Sequence, residues 1–471
     1  MDGKRNPLHR HKPITHPGDT AGSPPTQPPQ SDSVAVSPKT RHLPANKYPV
    51  RENRKEMNSC DNEHRQTVRV KRVDEVTSLD ELFRHCLPAF GGAYLRRIYT
   101  ILDRAIGMGC PLTLAIAGPV TVSGQHQTWL LPLLETGWVA YLSTTDAVCY
   151  HDGHRSLTGR RDPVFEVPIF GDDGALRDER TIRVTDMAFD EDVLLDQDRF
   201  LTAILQLPEF QKKMTGTELR NLLGKWYADQ EAAANVEPGL LATCHKMAIP
   251  VFVGAPGDGS VFLNSMKLWA MREAGLLPEY SFDLDIHAEV FEACAYHHWG
   301  LFQSGAKALA TFMLGGGVPK NYNLQPEPAL GQVLGLPDVR GYEFDVQITT
   351  APVTDGSLSS CPPAEAVTWG KVDRETYVQS TESMQGDYSM VIPFLIKALL
   401  DRRAKFARLH EELGAVLFER HPEARGYLRS RDGYRLFEQR QTLVAGLRDA
   451  VRENGDWLRE SLQYPLPAVR G

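Results

Sequence analysis

Apolar runs of about five residues recur along the middle of the chain, and each ends in small or polar residues. Longer stretches with helical periodicity lie between these runs. Near-continuous apolar strands separated by helices are typical of a parallel sheet covered on both faces, so the pattern predicts an α/β fold. The predicted strands are residues 113–117, 138–142, 249–253, 310–314 and 344–348, and the predicted helices include 127–134, 261–274 and 287–307.

The carboxyl ends of the predicted strands carry Gly, Ser, Thr and Asp. In open parallel sheets, ligands bind outside the carboxyl ends of the strands. One such segment carries little information, but five arranged in the same way predict a site large enough for a nucleotide. The five segments are residues 118–124, 143–146, 254–260, 315–320 and 349–351.

The two ends of the chain differ from this central pattern. Residues 1–72 are rich in Pro and Ser and contain 14 Lys and Arg against 7 Asp and Glu, which predicts a disordered basic tail. Ser78 begins a segment that resembles a capping box and predicts the first helix. After Pro393 the pattern is helical. We therefore expect a main α/β domain over 73–400 and, over 401–471, helices that pack on the same domain.

Composition narrows the class of protein. The chain has 471 residues, of which 42% are apolar and 24% charged, as is typical of globular proteins. Its net charge of -8 argues against general binding of nucleic acid, and no apolar run is long enough to span a bilayer, so we expect no membrane partner. Seven dispersed cysteines and a charged N-terminus without an apolar signal segment predict a cytoplasmic protein with reduced thiols.

The segment from Glu365 to Lys371 carries the strongest chemical signal. Its sequence, Glu-Ala-Val-Thr-Trp-Gly-Lys, places a lysine shortly after Trp369 and a glutamate. A lysine held partly dry beside an aromatic ring favours the neutral amine, which is a nucleophile toward carbonyls and imines. Spacing alone favours a solvated lysine, because lysines are mostly exposed, so the nucleophile interpretation depends on the rest of the chain.

Other motifs are less specific. No Gly-x-Gly-x-x-Gly follows the first predicted strand, although the three glycines 315–317 could let a backbone approach a pyrophosphate or could simply form a turn. His151 and His154 lie close in sequence, but no cysteine cluster or His-Glu-x-x-His accompanies them, so no metal site is predicted. Asp285 and Asp387 lie among apolar residues and need a partner, which could be a cationic amine, a ribose hydroxyl or a backbone amide.

Five motifs, taken in order along the chain, resemble the deoxyhypusine synthase family. The likeness extends from about residue 75 to about residue 400. It implies a Rossmann-like α/β domain assembled as a homotetramer, with NAD and substrate bound where subunits meet. The motifs are Asp-Gly-Ser at 258–260, Leu-Gly-Gly-Gly-Val-Pro-Lys-Asn at 314–321, Ile-Thr-Thr at 348–350, the lysine segment at 365–371 and Gly-Asp at 386–387.

The resemblance also implies a reaction and a set of site residues. NAD would take hydride from a carbon beside a polyamine nitrogen, Lys371 would attack the resulting imine and hold a 4-aminobutyl group as a Schiff base, and an acceptor amine would displace the lysine. Trp369 would wall the aliphatic chain, and Glu365 would pair with an ammonium end. Asn321 and Ser359 complete the implied substrate site. The implied NAD contacts are Gly118, Val122, Thr145, Asp285, Gly316, Thr350, Ala351 and Asp387.

The chain departs from the family pattern at several positions. Asn321 stands where the family has a histidine, His151 aligns with a glutamate, and Leu358 aligns with an aspartate. The Pro-Lys-Asn form resembles the bacterial deoxyhypusine-synthase-like branch, which is associated with homospermidine-type transfer to a small amine. We therefore predict an NAD-dependent transferase that moves a 4-aminobutyl group from spermidine or putrescine to a small amine.

The two lost acidic positions could fit a different donor, or a guanidino or otherwise modified acceptor. Three further alternatives stay open. The acceptor could be a protein lysine of a translation factor, as in deoxyhypusine synthase itself. The lost acidic positions could mark a non-catalytic paralogue, although retention of Lys371, Trp369 and Glu365 argues against it. A dehydrogenase that releases its oxidised product is the third, and net accumulation of NADH would distinguish it.

Overall fold

The computed structural model describes residues 69–157 and 163–463. The predicted tail lies outside the described residues except for its last four, 69–72. Two of these four contact the helix α1 (Leu79–His85): Lys71 N donates to His85 O at 3.2 Å, and His85 Nδ1 lies 3.0 Å from Arg69 O.

A six-stranded parallel sheet forms the centre of the fold. Its order is β11–β10–β9–β1–β2–β7, and every neighbouring pair is parallel. All five predicted strands belong to it, which confirms the α/β class. β11 escaped prediction because its sequence, Thr-Glu-Ser-Met-Gln, is mostly polar and lies at the sheet edge. The strands of the described residues are β1 (Leu112–Ile116), β2 (Val139–Thr144), β3 (Phe165–Glu166), β4 (Thr181–Val184), β5 (Met187–Asp190), β6 (Lys213–Met214), β7 (Val251–Val253), β8 (Asp283–Leu284), β9 (Ala310–Leu314), β10 (Phe344–Thr349) and β11 (Thr381–Gln385).

The strand order reverses once, at the middle of the sheet. From β1 the chain proceeds to β2 and β7 on one side, and then returns to the other side of β1 for β9, β10 and β11. Ile116, Leu314 and Ile348 are level in the register, so the three central strands end together. In parallel α/β sheets a ligand crevice opens outside the strand ends where the order reverses, here between β1 and β9.

The helices cover both faces of the sheet, and those predicted from the sequence are present. The predicted helix 287–307 ends earlier, at Phe302, and a turn that includes Lys307 at a φ of 49° follows it. The predicted helix 127–134 is a π turn followed by α3. After α1, the α-helices of the described residues are α2 (Phe90–Gly107), α3 (Leu131–Leu134), α4 (Asp146–Leu157), α5 (Asp173–Asp178), α6 (Glu191–Ile204), α7 (Gly216–Ala234), α8 (Leu240–Met247), α9 (Ser260–Glu273), α10 (Ile286–Phe302), α11 (Gly317–Leu324), α12 (Pro326–Pro328), α13 (Pro363–Ala366), α14 (Tyr377–Ser380), α15 (Ile392–Leu413), α16 (Leu417–Arg420), α17 (Ala424–Tyr427), α18 (Leu436–Glu453) and α19 (Gly455–Ser461).

Helix α1 begins where the capping pattern predicts. Ser78 Oγ accepts a hydrogen bond from Glu81 N at 3.2 Å. The Glu81 carboxylate accepts from Thr77 N at 3.0 Å rather than from Ser78 N. Both interactions satisfy amides at the helix start, so the cap stabilises α1 although its return bond is shifted by one residue.

Two small sheets were not predicted from the sequence. β3, β4 and β5 form an antiparallel sheet between α4 and α6, and β6 pairs with β8. These strands are too short to show a period of hydrophobic positions. Val122, Phe189 and Val193 pack together where the three-stranded sheet meets the loop after β1. The three-stranded sheet therefore covers one side of the carboxyl edge of the central sheet.

A buried hydrogen-bonded cluster fixes α11 on the central sheet. Asn323 Nδ2 donates to Thr113 Oγ1 on β1 at 3.0 Å and to Thr311 Oγ1 on β9 at 2.8 Å. Tyr342 Oη donates to Asn323 O at 3.1 Å and lies 2.9 Å from Tyr141 Oη. Because buried polar groups need partners, this cluster locks α11, and the glycine turn before it, onto the two central strands.

Helices α15 to α19 form the predicted helical C-terminal region. α15 packs on α1, and Arg402 of α15 pairs with Asp103 of α2 at 2.6 Å. α18 packs on α10, where Leu447 joins a buried cluster with Phe252 of β7. Within the two described ranges, no helix combines the length and the apolar character needed to cross a bilayer.

Candidate functional site

A cavity of about 440 Å³ lies at the carboxyl edge of the central sheet. Its walls come from the ends of β1, β2, β7 and β9 and from the starts of α4 and α11. The cavity therefore occupies the position at which the strand order reverses. Four of the residues implied as NAD contacts line it, namely Gly118, Val122, Thr145 and Gly316.

The turn after β1 is held by a side chain from beyond β11. Tyr388 Oη donates to Ala117 O at 2.9 Å. Gly118 has a φ of 104°, and a Cβ on this residue would lie 2.9 Å from Tyr388 Oη. Glycine suits both the backbone angle and the contact. Burial raises the pKa of Tyr388 to about 12, so its hydroxyl keeps the proton for this bond.

The glycine turn after β9 packs against the loop that precedes the lysine segment. Gly315 and Gly317 have φ values of 80° and 60°. A Cβ on Gly316 would lie 2.4 Å from Ser359 Oγ, and Gly317 N donates to the same oxygen at 2.9 Å. Ser359, implied as a substrate contact, is thus a support of the glycine turn. The turn brings the amino end of α11 to the cavity, although Gly317 N already donates to Ser359.

The wall formed by α4 combines an acidic and a neutral side chain. Asp146 is buried and accepts from Val261 N at 2.8 Å, and burial raises its pKa. His151 lines the cavity, and its Nδ1 lies 3.0 Å from His154 Nε2. Burial lowers the pKa of these histidines to about 4 and about 3, so both rings are neutral at neutral pH. No group of three or more His, Cys, Asp or Glu in the described ranges is arranged to hold a metal ion.

A second cavity, of about 540 Å³, adjoins the first. The two cavities share Gly317 and Val318, and the second follows one face of α11 as far as Gln325. Asn321 and Leu358, two of the departures from the family pattern, line it. The second cavity therefore presents an amide and an aliphatic group where the resemblance implies a histidine and a carboxylate.

Lys371 lies beside the start of β10 rather than at the carboxyl edge. Tyr342 N donates to Lys371 O at 2.9 Å, which fixes the lysine backbone. The side chain is half-buried, and its Nζ lies 5.9 Å from the centroid of the Trp369 ring. Burial lowers the pKa of Lys371, opposed by the charges of Cys361 and Glu327. This environment favours the neutral amine more than bulk solvent does.

A carboxylate that the sequence patterns did not predict lies beside the lysine segment. Glu327 is 8% exposed, and its Oε2 has no hydrogen-bond partner among the described residues. A Cβ on Gly370 would lie 2.8 Å from Glu327 Oε1. Burial raises the pKa of Glu327 to about 7, opposed by the charge of Lys371. No motif of the sequence marks Glu327, which stands between two prolines that restrict its backbone.

The remaining implied substrate residues are more open to solvent. Glu365 is exposed, and Trp369 is 61% exposed. Lys320, by contrast, is buried, and its Nζ donates to Gln347 Oε1 at 2.8 Å and to Cys361 O at 2.5 Å. Lys320 therefore links β10 to the loop that precedes the lysine segment. Lys371, in contrast, carries the accessible amine.

Four residues implied as NAD contacts line neither cavity. Thr350 and Ala351 follow β10, and Asp387 follows β11, so all three lie at the carboxyl edge near the cavities. The Asp387 carboxylate caps the turn that follows β11. Asp285 caps α10 and pairs with Lys213 Nζ at 3.1 Å, beside the two-stranded sheet. Asp285 itself lines neither cavity, but the next residue, Ile286, lines the second cavity.

The strand order defines a Rossmann-like α/β protein. At the reversal of that order lies a nucleotide-sized cavity lined by glycine turns, and the chain also carries a half-buried lysine. The sequence model of deoxyhypusine synthase matches residues 79–399. The chain therefore belongs to the deoxyhypusine synthase family, which confirms the resemblance found in its motifs.

Relatives in the same family cover most of the described chain. A Nostoc punctiforme protein named deoxyhypusine synthase-like protein is 34% identical over 349 residues, which is 73% of this chain and 85% of the relative. A protein of the same name from Nostoc sp. is 35% identical over 327 residues, with coverages of 69% and 82%. A crystal structure of a candidate deoxyhypusine synthase from Entamoeba histolytica aligns with a TM-score of 0.42 and 14% identity, covering 70% of this chain and 96% of that one. The family assignment rests on the sequence relatives.

Proposed function

We propose that this protein is an NAD-dependent transferase that moves a 4-aminobutyl group from spermidine or putrescine to a small amine through an imine on Lys371. The observation that carries the proposal is Lys371 itself, a half-buried lysine whose pKa is lowered by burial and which lies beside Trp369. Membership of the deoxyhypusine synthase family supports the same kind of transfer.

The first cavity has the features that NAD requires. The glycine turn brings the amino end of α11 to the cavity wall, where a helix start suits a pyrophosphate. Gly118 and Thr145 would line the same bound nucleotide. Thr350, Ala351 and Asp387 would reach it from the neighbouring strand ends. When bound, NAD would take hydride from the carbon beside a polyamine nitrogen and return it after transfer.

Lys371 would supply the nucleophile for the transfer. Its neutral amine would form a bond to the imine carbon, the original amine would leave with a proton, and the 4-aminobutyl group would remain on the lysine as an imine. Trp369 would lie along the aliphatic part of this group, and Glu365 would pair with its free ammonium end. An acceptor amine would then displace Lys371 by the same steps in reverse.

The departures from the family pattern favour a small acceptor. Asn321 and Leu358 give the second cavity an amide and an aliphatic group, and His151 is a neutral ring in the wall of the first cavity. The glutamate and the aspartate of the family pattern are replaced by His151 and Leu358. The cavities therefore offer fewer negative charges to a polycation than the family pattern implies. Putrescine is such a small acceptor, and its product would be homospermidine.

Exposed apolar side chains support contact with other subunits, and the assembly that we propose is a homotetramer. Trp369 is 61% exposed, and Leu263, Met266 and Trp269 of α9 are exposed as well. Apolar groups of this size are normally covered by a partner or a ligand. Cysteines of the described ranges are free thiols, which supports a cytoplasmic location.

Product analysis tests the proposed reaction. The protein is incubated with NAD and a defined pool of putrescine, spermidine and guanidino-amines, and the products are identified by mass spectrometry. We expect a 4-aminobutyl product that requires NAD, with no net accumulation of NADH. Accumulating NADH would indicate a dehydrogenase, and transfer only to a translation-factor lysine would indicate a protein acceptor. No product with any amine would refute the transferase.

A further inference from the structure

We propose that Glu327, a buried carboxylate, is the proton partner of Lys371. It takes protons from the lysine nitrogen during transfer and gives them to the departing amine. The inference rests on the proposed function, because it assigns the proton that Lys371 must lose before it attacks an imine. None of the motifs that carry the family resemblance includes this residue. The fold alone brings it against the residue before Lys371.

The neighbours of Glu327 in sequence fix its position. It lies in α12, where a proline on each side restricts the backbone. α12 follows α11 directly, and α11 lines the second cavity from the glycine turn to Gln325. Glu327 therefore has a defined place just beyond the end of that wall.

The carboxylate of Glu327 is buried without a partner at one of its oxygens. Glu327 is 8% exposed, and Oε2 accepts no hydrogen bond from the described residues. A buried and unpaired carboxylate oxygen is unfavourable, so its presence calls for a role. A Cβ on Gly370 would lie 2.8 Å and 3.0 Å from the two carboxylate oxygens, and Gly370 has a φ of 76°. The glycine before Lys371 therefore makes the room that the carboxylate occupies.

Among the titratable groups that act on Lys371, Glu327 is the carboxylate. Lys371 interacts with Glu327, with the Cys361 thiol and with Lys320. Burial raises the pKa of Glu327 to about 7 and lowers that of Lys371, so the two values approach each other. Burial also raises the pKa of the Cys361 thiol, which keeps it protonated. The next charged groups outward, which act on Lys320, are Asp345 and Glu365.

Transfer through this pair conserves protons and electrons. Glu327 takes a proton from the Lys371 ammonium, and the neutral amine forms a nitrogen–carbon bond with the protonated imine of the donor. The carboxylic acid gives its proton to the nitrogen of the departing amine and takes one from the lysine nitrogen. The bond between carbon and the departing amine breaks with its electron pair on that nitrogen, and the lysine nitrogen forms the new double bond. The departing amine takes the last proton from Glu327.

Two other roles for Glu327 would leave different traces. A purely structural carboxylate would change the stability of the fold, and the reactivity of Lys371 would follow that change. A carboxylate that only binds the ammonium end of a substrate would, when replaced, raise the KM for polyamines and leave kcat unchanged. A proton partner changes the pH dependence of Lys371 in the absence of any ligand.

The test measures the reactivity of Lys371 in the full-length protein without NAD or polyamine. Reductive methylation with isotopic formaldehyde over a pH series, read by peptide mass spectrometry, gives a rate profile for Lys371. Glu327→Gln and Glu327→Asp are compared with Glu375→Gln, which makes the same change at an exposed position near the lysine. Thermal unfolding of each variant shows whether it is folded.

We expect Glu327→Gln to lower the apparent pKa of Lys371 by about one unit and to speed its labelling at neutral pH by up to about tenfold, because the carboxylate favours the ammonium. Transfer of the 4-aminobutyl group should fall by about 100-fold, with Glu327→Asp intermediate in both measurements. An unchanged labelling profile, or one altered equally by Glu375→Gln, overturns the proposal. Because labelling needs no cofactor or polyamine, a wild-type protein without transfer would refute the proposed function and leave the proton pair standing.

Discussion

The cavity at the carboxyl edge and the lysine segment differ in how completely one chain encloses them. The cavity is walled by the ends of four strands, and its lining residues Val122, Thr144 and Val148 are buried. The lysine segment is open, with Trp369 61% exposed and Leu358, in the loop before it, 36% exposed. Other lining residues of the cavity, such as Pro119 and Val318, are exposed, so the cavity is only partly enclosed, whereas the lysine segment leaves an aromatic ring in solvent.

This difference separates what the fold supplies from what assembly or substrate must supply. Strand ends and glycine turns shape the first cavity without help from another molecule. The lysine segment has its nucleophile and its buried carboxylate in place, but the wall for an aliphatic chain faces outward. We expect changes in the first region to alter nucleotide binding alone, and changes in the second to alter transfer and assembly.

The largest effect should come from Lys371→Arg. Arginine keeps the positive charge but cannot form an imine, so transfer should fall by at least about 1000-fold. NAD affinity, measured by calorimetry, should stay within about twofold of wild type, because the lysine lies outside the cavity wall. Transfer within tenfold of wild type would remove Lys371 as the nucleophile.

Gly118→Ala should act on the other region. The φ of 104° and the contact with Tyr388 Oη strain any larger residue, at a cost of roughly 1–2 kcal/mol. NAD affinity should fall by about tenfold, while the rate of reductive methylation at Lys371 in the protein without NAD stays unchanged. Gly109→Ala is a matched control, because its φ is also positive but a Cβ there has open space. Equal losses of NAD affinity in both variants would contradict a specific role for Gly118 in shaping the NAD cavity.

Trp369→Ala should separate assembly from folding. Because the ring is exposed, the free energy of unfolding of one subunit should change by less than about 0.5 kcal/mol. Transfer should fall by about fivefold through KM, as expected for the loss of a contact worth about 1 kcal/mol. Phe170→Ala is the control, since Phe170 is 97% exposed and lies outside the lysine segment. If sedimentation shows the same assembly and kinetics show the same KM for both variants, Trp369 contacts neither a partner subunit nor the substrate.

The smallest effect concerns Asp345, a buried carboxylate beneath the lysine segment. Burial raises its pKa to about 7, opposed by Lys320, so the folded state holds the proton more tightly than the unfolded chain. Its contribution to stability is present at low pH and is lost as the pH rises through about 7. Asp345→Asn should therefore raise the Tm above wild type at pH 8 and lose that advantage toward pH 5. A constant difference across this range would contradict the raised pKa.

Much of the fold followed from the apolar runs, because strands of a central parallel sheet are buried on both faces and read as continuous apolar segments. β11 and the two small sheets did not follow, since edge and two-residue strands carry no such signature. The end of α10 at Phe302 was also missed, although Gly305 shortly after it is a residue that often follows a helix.

The residues of the candidate site that belong to a motif could be predicted from the sequence. Those that reach the site through contacts between distant parts of the chain could not. Lys371 and Trp369 follow from one short segment. Glu327 does not, because its meaning comes from contact with Gly370 in a different part of the chain. Asp146, which caps the start of α9 through Val261 N, is another residue of this kind. Asp285, implied as a cofactor contact, caps α10 next to Ile286, which lines the second cavity.

Borohydride trapping tests the central claim most directly. The protein is incubated with NAD and isotopically labelled spermidine or putrescine, reduced, digested and mapped by mass spectrometry. We predict a 4-aminobutyl group on the peptide that contains Lys371, dependent on NAD and absent from Lys371→Arg. A label on any other residue, or no label with any diamine offered, would contradict the claim that Lys371 carries the transferred group.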